Sequence, residues 1–146
     1  MAKTVRDAMT KRPTTVAADA TIVEAARAMR DEDAGIVPVV DGDRLEGVIT
    51  DRDIAVRGVA KGQPPQQRSV GEVMTNEVKF IFEDEEVGEA AKKMATWQVH
   101  RLPVLDRNKQ LVGIVSLGDV ALETEDHGKV AEAVEGIVQP TGKREQ

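Results

Sequence analysis

Two stretches of the chain are near copies of each other, and that duplication limits the fold more than any other feature. Val5-Arg6-Asp7-Ala8-Met9-Thr10 returns as Val70-Gly71-Glu72-Val73-Met74-Thr75, an offset of 65 residues that brings many later positions into register. Asp19 falls on Asp84, Glu24-Ala25-Ala26 on Glu89-Ala90-Ala91, Met29 on Met94, Pro38-Val39 on Pro103-Val104, and Asp41 on Asp106. After one extra residue in the second copy, Leu45, Gly47, Asp53 and Ala55 meet Leu111, Gly113, Asp119 and Ala121. A long repeat present only twice is too short for a solenoid and implies two similar halves packed about a pseudo-twofold axis. The space between such halves is a natural ligand cleft. With 146 residues the chain is the size of one ordinary domain, so the halves are expected to share one core.

Charge and residue usage narrow the partners. The net charge of −6 argues against a nucleic-acid binder, because duplex affinity comes largely from neutralising phosphates with Lys and Arg. With two Phe, one Trp and no Tyr, the stacking platforms of single-strand binders are missing too. An anionic ligand would have to be held locally, by positioned cations and N–H groups acting within about 8–10 Å. There is no cysteine, so disulfides, thiolate metal sites and cysteine nucleophiles are excluded. No long apolar run or basic leader occurs, and a soluble, cytoplasmic protein without membrane partners is expected.

Each copy reads as β-α-β-β-α. In the first, Thr14-Thr15-Val16 is a short extended run, and Ile22, Ala25, Ala26 and Met29 have the i, i+3, i+4, i+7 spacing of an amphipathic helix that Asp19 or Thr21 can cap. The β-branched runs Ile36–Val40 and Leu45–Ile49 flank Asp41-Gly42-Asp43-Arg44, which has the chemistry of a hairpin turn. Pro38 lacks a ladder donor and belongs at an edge or a strand start. A second helix is expected to begin after Thr50 and run through Ile54, Ala55 and Val59. The second copy repeats the order with Phe80-Ile81-Phe82, a helix from about Glu86 to Trp97, strands near Leu102–Leu105 and Leu111–Val115, and a helix from about Leu117. Residues 1–61 and 70–126 are therefore taken as the repeats, with 62–69 as a Pro/Gly/Gln-rich connector. Residues 127–146 are taken as a C-terminal helix, with Val130, Val134 and Ile137 on its apolar face, and a frayed tail from Pro140.

The sharpest local signal is Thr50-Asp51-Arg52-Asp53, matched by Ser116-Leu117-Gly118-Asp119. A hydroxyl residue followed three positions later by an acid, at a strand-to-helix junction, is a capping box with aspartate in place of glutamate. The same place also suits a ligand. A helix start offers unpaired N–H groups, the aspartate can accept both hydroxyls of a ribose, and the Thr or Ser hydroxyl can meet a ribose or phosphate oxygen. A second signal is Val99-His100-Arg101-Leu102-Pro103-Val104, where two side chains able to bind phosphate precede a strand. The bland alternative is an exposed Arg and a His bonded to a neighbour. Gly35 and Ile36 occupy the equivalent positions of the first copy, so the copies are chemically unequal.

The doubled pattern Gly35-Ile-Val-Pro38-Val39-Val with Leu45-Glu-Gly47-Val-Ile-Thr50-Asp-Arg-Asp53, and its counterparts Val99–Val104 and Leu111–Asp119, resembles a tandem cystathionine-β-synthase (CBS) domain pair, or Bateman module, over roughly residues 3 to 125. The resemblance implies an α+β fold of two β-α-β-β-α repeats with the C-terminal helix added, and a stand-alone, prokaryotic-type pair. It also implies a regulatory module that binds adenosine ligands, with AMP, ADP or ATP foremost and NAD or S-adenosylmethionine behind them, and with no required cofactor. Thr50 and Asp53 match the family's ribose-binding positions for one site, and Ser116 and Asp119 for the other. Thr15, Val16, Ile36, Val37 and Pro38 match adenine-lining positions, as do Phe80, Ile81, Leu102 and Pro103. His100 and Arg101 match positions that meet phosphates of a ligand whose ribose the other repeat holds, with Arg52 beside them. The Asp53 site is favoured on that basis.

An enzyme is poorly supported. Asp41, Asp43, Asp51 and Asp53 are explained by turns and caps. Two histidines without cysteine or a ligand-spaced carboxylate make a poor zinc set, and there is no Gly-rich phosphate loop. Two readings stand: a nucleotide sensor whose repeats or subunits repack when ligand bridges the cleft, and an interaction or oligomerisation scaffold of the same fold without physiological nucleotide binding. Both are compatible with a homodimer through helical faces and with a regulated protein in trans.

Overall fold

A computed structural model describes residues 3–124 and 126–138, so the tail from Pro140 lies outside the described residues. In chain order the elements are α1 (Val5–Ala8), β1 (Thr10–Lys11), α2 (Ile22–Glu32), β2 (Ile36–Asp41), β3 (Arg44–Thr50), α3 (Asp51–Asp53), α4 (Val70–Val73), β4 (Ile81–Phe82), α5 (Val87–Trp97), β5 (Arg101–Leu105), β6 (Leu111–Ser116), α6 (Leu117–Glu123) and α7 (His127–Val138). The chain is a mixed helix-and-strand protein built on two repeats with an extra C-terminal helix. None of its described helices is long and apolar enough to cross a membrane.

The compact units cross the boundaries of the sequence repeats. One unit is Thr14–Val78; the other joins the first 13 residues to everything from Lys79 onward. We call them the first and second units. The leading helix of each copy thus packs with the other copy's sheet. Val5 of α1 is in the core with Ile81, Ala90, Met94, Leu102 and Val115, while Val70 and Val73 of α4 are in the core with Ile22, Ala25, Val37 and Ile49.

In the second unit the sheet order is β1-β6-β5-β4, antiparallel except for the parallel pair β4–β5. The first unit has the same plan in reduced form. Its hairpin β2–β3 is flanked by a parallel bridge from Val16 to Val39 and an antiparallel bridge from Thr75 to Val48. Pro38 fits in mid-strand because its carbonyl accepts the Val16 N–H at 3.1 Å. Its ring nitrogen therefore faces the same outer edge, and the β2–β3 ladder loses no donor. Gly42 supplies the positive φ of 63° that the hairpin turn uses.

Local chemistry starts the helices. The Thr21 hydroxyl accepts the Glu24 N–H at 3.3 Å at the head of α2, so Thr21 and not Asp19 is the cap. α2 buries Ile22, Ala25 and Met29 of the face that the spacing predicts, but Ala26, the fourth residue of that face, is exposed; α5 buries Val87, Ala90, Ala91 and Met94. One expectation is refined and another corrected in part. The helix after Thr50 is α-helical only through Asp53, then widens to a π turn over Ile54–Gly58 and tightens to a 3₁₀ turn over Val59–Lys61. The change falls where Gly58 lets the backbone approach α2: a Cβ there would lie 2.8 Å from Ile22 Cδ1. In α7 the fully buried residue is Ala133; Val130, of the expected stripe, packs against the same core and Ile137 is half-buried, but Val134 is 44% exposed and lies off the packed face.

The connector contributes a buried cation. Arg68 is 7% exposed, donates to Gln63 Oε1 at 2.8 Å, and has Nε 3.1 Å from Glu72 Oε2, although the N–H is not aligned on that carboxylate. At the surface of the second unit, the Arg107 guanidinium grips Asp84 at 2.8–3.2 Å, stacks 4.1 Å over Phe82, and holds the Asp84 carboxyl below the usual carboxylate range. Asp7 is lowered likewise by the Thr4 backbone and hydroxyl donors that cap α1.

Candidate functional site

Strand β3 ends at Thr50 in extended conformation and turns directly into α3, so that residues 50 to 53 close on themselves. The Thr50 N–H donates to Asp53 Oδ2 at 3.0 Å and the Asp53 N–H donates to Thr50 Oγ1 at 3.1 Å. Both residues are buried, Thr50 at 4% and Asp53 at 7% exposure. The Thr75 hydroxyl adds donor contacts of 3.3 and 3.4 Å to the two Asp53 oxygens, and Arg57 Nε lies 3.9 Å from Oδ1. A carboxylate offers about four lone-pair sites, so the cap leaves Asp53 with acceptor capacity. Next to it, the Asp51 N–H donates to the Gly35 carbonyl at 3.0 Å, Asp51 Oδ1 accepts the Arg52 N–H at 2.8 Å, and the Arg52 side chain is exposed.

The second unit builds the same junction from β6 and α6. The Ser116 N–H donates to Asp119 Oδ2 at 2.9 Å, the Asp119 N–H to Ser116 Oγ at 3.0 Å, and the Leu117 N–H to the His100 carbonyl at 2.8 Å. Asp119 is half-buried where Asp53 is buried. Register places Arg101 directly across from Ser116, as Ile36 stands across from Thr50. Arg101 Nη1 lies 3.3 Å from His100 Nε2. Arginine has no acceptor, so a hydrogen bond in this contact is donated by the guanidinium to the imidazole nitrogen. His100, Arg101, Ser116 and Asp119 are therefore gathered in one unit, and Thr50, Arg52 and Asp53 in the other.

The strand residues divide by exposure. Val37, Ile81 and Leu102 are at most 2% exposed and belong to the cores, so only their backbone can face a ligand. Ile36, Pro38 and Pro103 are buried, Val16 and Phe80 half-buried, and Thr15 exposed. Phe80 packs edge-on against Phe82 with centroids 5.4 Å apart. Thr75 and Arg57 are the neighbours of Asp53 that sequence reasoning missed. Thr75 is visible as a repeat of Thr10, but nothing local shows that it crosses to the other copy's junction. Among the described residues no group of three or more His, Cys, Asp or Glu is placed to hold a metal ion.

The twice-built sheet with a hydroxyl–aspartate junction defines a class of protein, and comparison with known proteins agrees. The family model of the CBS domain matches residues 5–58 and again 70–125, and the chain belongs to that family. It is 40% identical over 133 residues to the CBS domain-containing protein YhcV of Bacillus subtilis (strain 168), covering 91% of this chain and 94% of that one. Among solved structures it is similar to Hypoxic Response Protein I with two coordinated zinc ions, at 36% identity and TM-score 0.76, covering 84% of this chain and 99% of that one. The CBS domain pair of protein MJ0100, in complex with 5′-methylthioadenosine and S-adenosyl-L-methionine, is 32% identical with TM-score 0.73, covering 84% and 95%. CBSX2 in complex with AMP is 26% identical with TM-score 0.71, covering 82% and 93%.

Proposed function

We propose that the chain is a non-catalytic regulatory module that binds an adenosine-containing ligand, with AMP, ADP or ATP preferred. The carrying observation is the Thr50–Asp53 junction, a buried carboxylate at a helix start whose cap leaves acceptor sites for ribose hydroxyls. Relatives of the same fold hold AMP, 5′-methylthioadenosine or S-adenosyl-L-methionine, which share an adenosine group. In this reading Thr50 and Asp53 take the ribose, and His100, Arg101 and Arg52 the phosphates. Ser116 and Asp119 form a second, weaker ribose site. Thr15, Val16, Ile36, Val37 and Pro38 line the adenine in one copy, and Phe80, Ile81, Leu102 and Pro103 in the other, several of them through backbone alone. The output is a shift between packings of repeats or subunits, which requires ligand to bind one packing more tightly.

A specific observation favours the second reading, a scaffold without physiological nucleotide. In both junctions the hydroxyl and one carboxylate oxygen are already committed to the cap. Thermal shift with AMP, ADP, ATP, NAD and S-adenosylmethionine separates the two. At 100 times its dissociation constant a ligand adds about 2.7 kcal/mol, a rise of several degrees. Asp53→Ala should abolish the shift while Asp119→Ala preserves most of it, and Arg101→Ala should weaken AMP far more than adenosine. No shift with any ligand leaves the scaffold reading. Loss on Asp119→Ala alone moves the ribose to the other junction.

A further inference from the structure

One helical turn beyond the buried Asp53 lies Arg57, and the other copy has an acid in its place. The register that pairs Asp53 with Asp119 and Ala55 with Ala121 pairs Arg57 with Glu123. Arg57 is fixed by the backbone around it. Its Nη1 donates to the Met74 carbonyl at 3.3 Å and to the Val73 carbonyl at 3.5 Å, at the end of α4, while Nε lies 3.9 Å from Asp53 Oδ1. The Arg57 carbonyl accepts from Nη2 of the buried Arg68 at 3.5 Å. At 3.9 Å the guanidinium neutralises the carboxylate as an ion pair without taking a lone pair in a hydrogen bond, so the acceptor sites of Asp53 stay open to a ligand.

The two turns therefore differ in charge. Residues 50–57 hold the acids Asp51 and Asp53 and the bases Arg52 and Arg57, whereas residues 116–123 hold Asp119 and Glu123 and no base. Arg101, across from Ser116, offsets one of those acids; Ile36, across from Thr50, brings no charge. On α6, Asp119 and Glu123 share a face at i, i+4 spacing, where like charges repel.

We propose that Arg57 is a specificity-determining residue that lets the first junction accept a phosphorylated ligand, and that Glu123 in its place makes the second junction the weaker one for such ligands. The inference rests on the adenosine reading of the junctions. An aspartate that accepts ribose hydroxyls is itself an anion close to the ligand's phosphates, and the repulsion grows with each phosphate added. Arg57 cancels that charge, and a guanidinium does so at every working pH.

Isothermal titration of the full chain with adenosine, AMP, ADP and ATP tests this with three variants. Arg57→Lys keeps the charge, Arg57→Gln removes it but keeps a donor for the Met74 carbonyl, and Arg57→Glu copies the second junction. AMP affinity should fall about three- to fivefold in Arg57→Gln, the scale of a partly exposed charge pair, fall further in Arg57→Glu and largely recover in Arg57→Lys. The loss should grow from AMP to ATP, leave adenosine within about twofold, and shrink as salt rises. Lost packing would weaken all four ligands alike and give no such grading. In a chain whose first junction is removed by Asp53→Ala, adding Glu123→Arg should strengthen AMP binding and leave adenosine unchanged; no gain there overturns the role of Glu123. Equal losses for adenosine and AMP, or affinities that ignore the charge at position 57, overturn the role of Arg57 and leave the ribose site standing. If the unsubstituted chain binds none of the four, the ribose reading itself falls, and this inference falls with it.

Discussion

Gly47 and Gly113 show why two residues recur at the same place in both copies. A Cβ on Gly47 would fall 2.6 Å from the Thr75 carbonyl oxygen, and one on Gly113 would fall 2.8 Å from the Thr10 carbonyl oxygen and 2.5 Å from Met9 Sδ. The leading Met-Thr of each copy crosses the glycine of the other copy, so the two repeated motifs exist for one another. A methionine sulfur can swing away, but a backbone oxygen held in a ladder cannot. Gly113→Ala should therefore cost about 1–3 kcal/mol, the usual range for overpacking, and outweigh any gain from a stiffer unfolded chain. Urea unfolding checks this through a lower midpoint at unchanged slope. An unchanged midpoint would mean that β1 lifts off β6 without loss.

At the scale of elements, α7 shows how a helix face can be misread. Spacing selects the largest apolar residues, Val130, Val134 and Ile137, and misses that the small residues Ala133 and Gly136 lie on the packed face in place of Val134, with the Gly136 backbone close to Ala95. Gly136→Val should thus destabilise the second unit by about 1–3 kcal/mol, although valine raises the apolar content of the helix. Thermal melts compared with Val134→Ala, an exposed position expected to shift stability by less than about 0.5 kcal/mol, read the difference. Equal effects would restore the predicted face. The features legible in the sequence are the local ones: the Thr50–Asp53 and Ser116–Asp119 boxes, the Gly42 turn, and the amphipathic stripes of α2 and α5. The π turn at Ile54–Gly58 was not legible, since one widened turn barely alters an apolar pattern. Nor were Asp33 and Gln98, which end α2 and α5 in left-handed conformations at φ 51° and 57° without being glycine. The Thr75–Asp53 contact joins residues 22 positions apart in separate copies, and no local rule pairs them.

For the molecule as a whole, the repeat tells which segments are equivalent but not with which copy each one packs. The first 13 residues belong to the second unit, to which they are tied at several points. The Val5 and Arg6 N–H groups donate to the Glu85 and Glu83 carbonyls at 2.8 and 2.9 Å, Arg6 Nε reaches Glu83 Oε1 at 2.9 Å, and Val5 is 0% exposed. β1 then closes the edge of β6. Deleting residues 1–13 should therefore damage the distant C-terminal repeat more than the repeat to which those residues belong in sequence. Loss of the Val5 side chain alone removes about 1.5–3 kcal/mol of burial, before the ladder and the ion pair are counted. Hydrogen exchange on the truncated chain should show faster amides in β4, β5, β6 and α5, with residues 14–78 keeping their protection because their core of Ile22, Val37, Ile49, Val70 and Val73 is intact. If protection falls first in the hairpin β2–β3, the leading segment serves its own copy and the exchange is absent in solution. A uniform fall across both units would show instead that they unfold as one cooperative block, and that ligand bound to one of them stabilises the other.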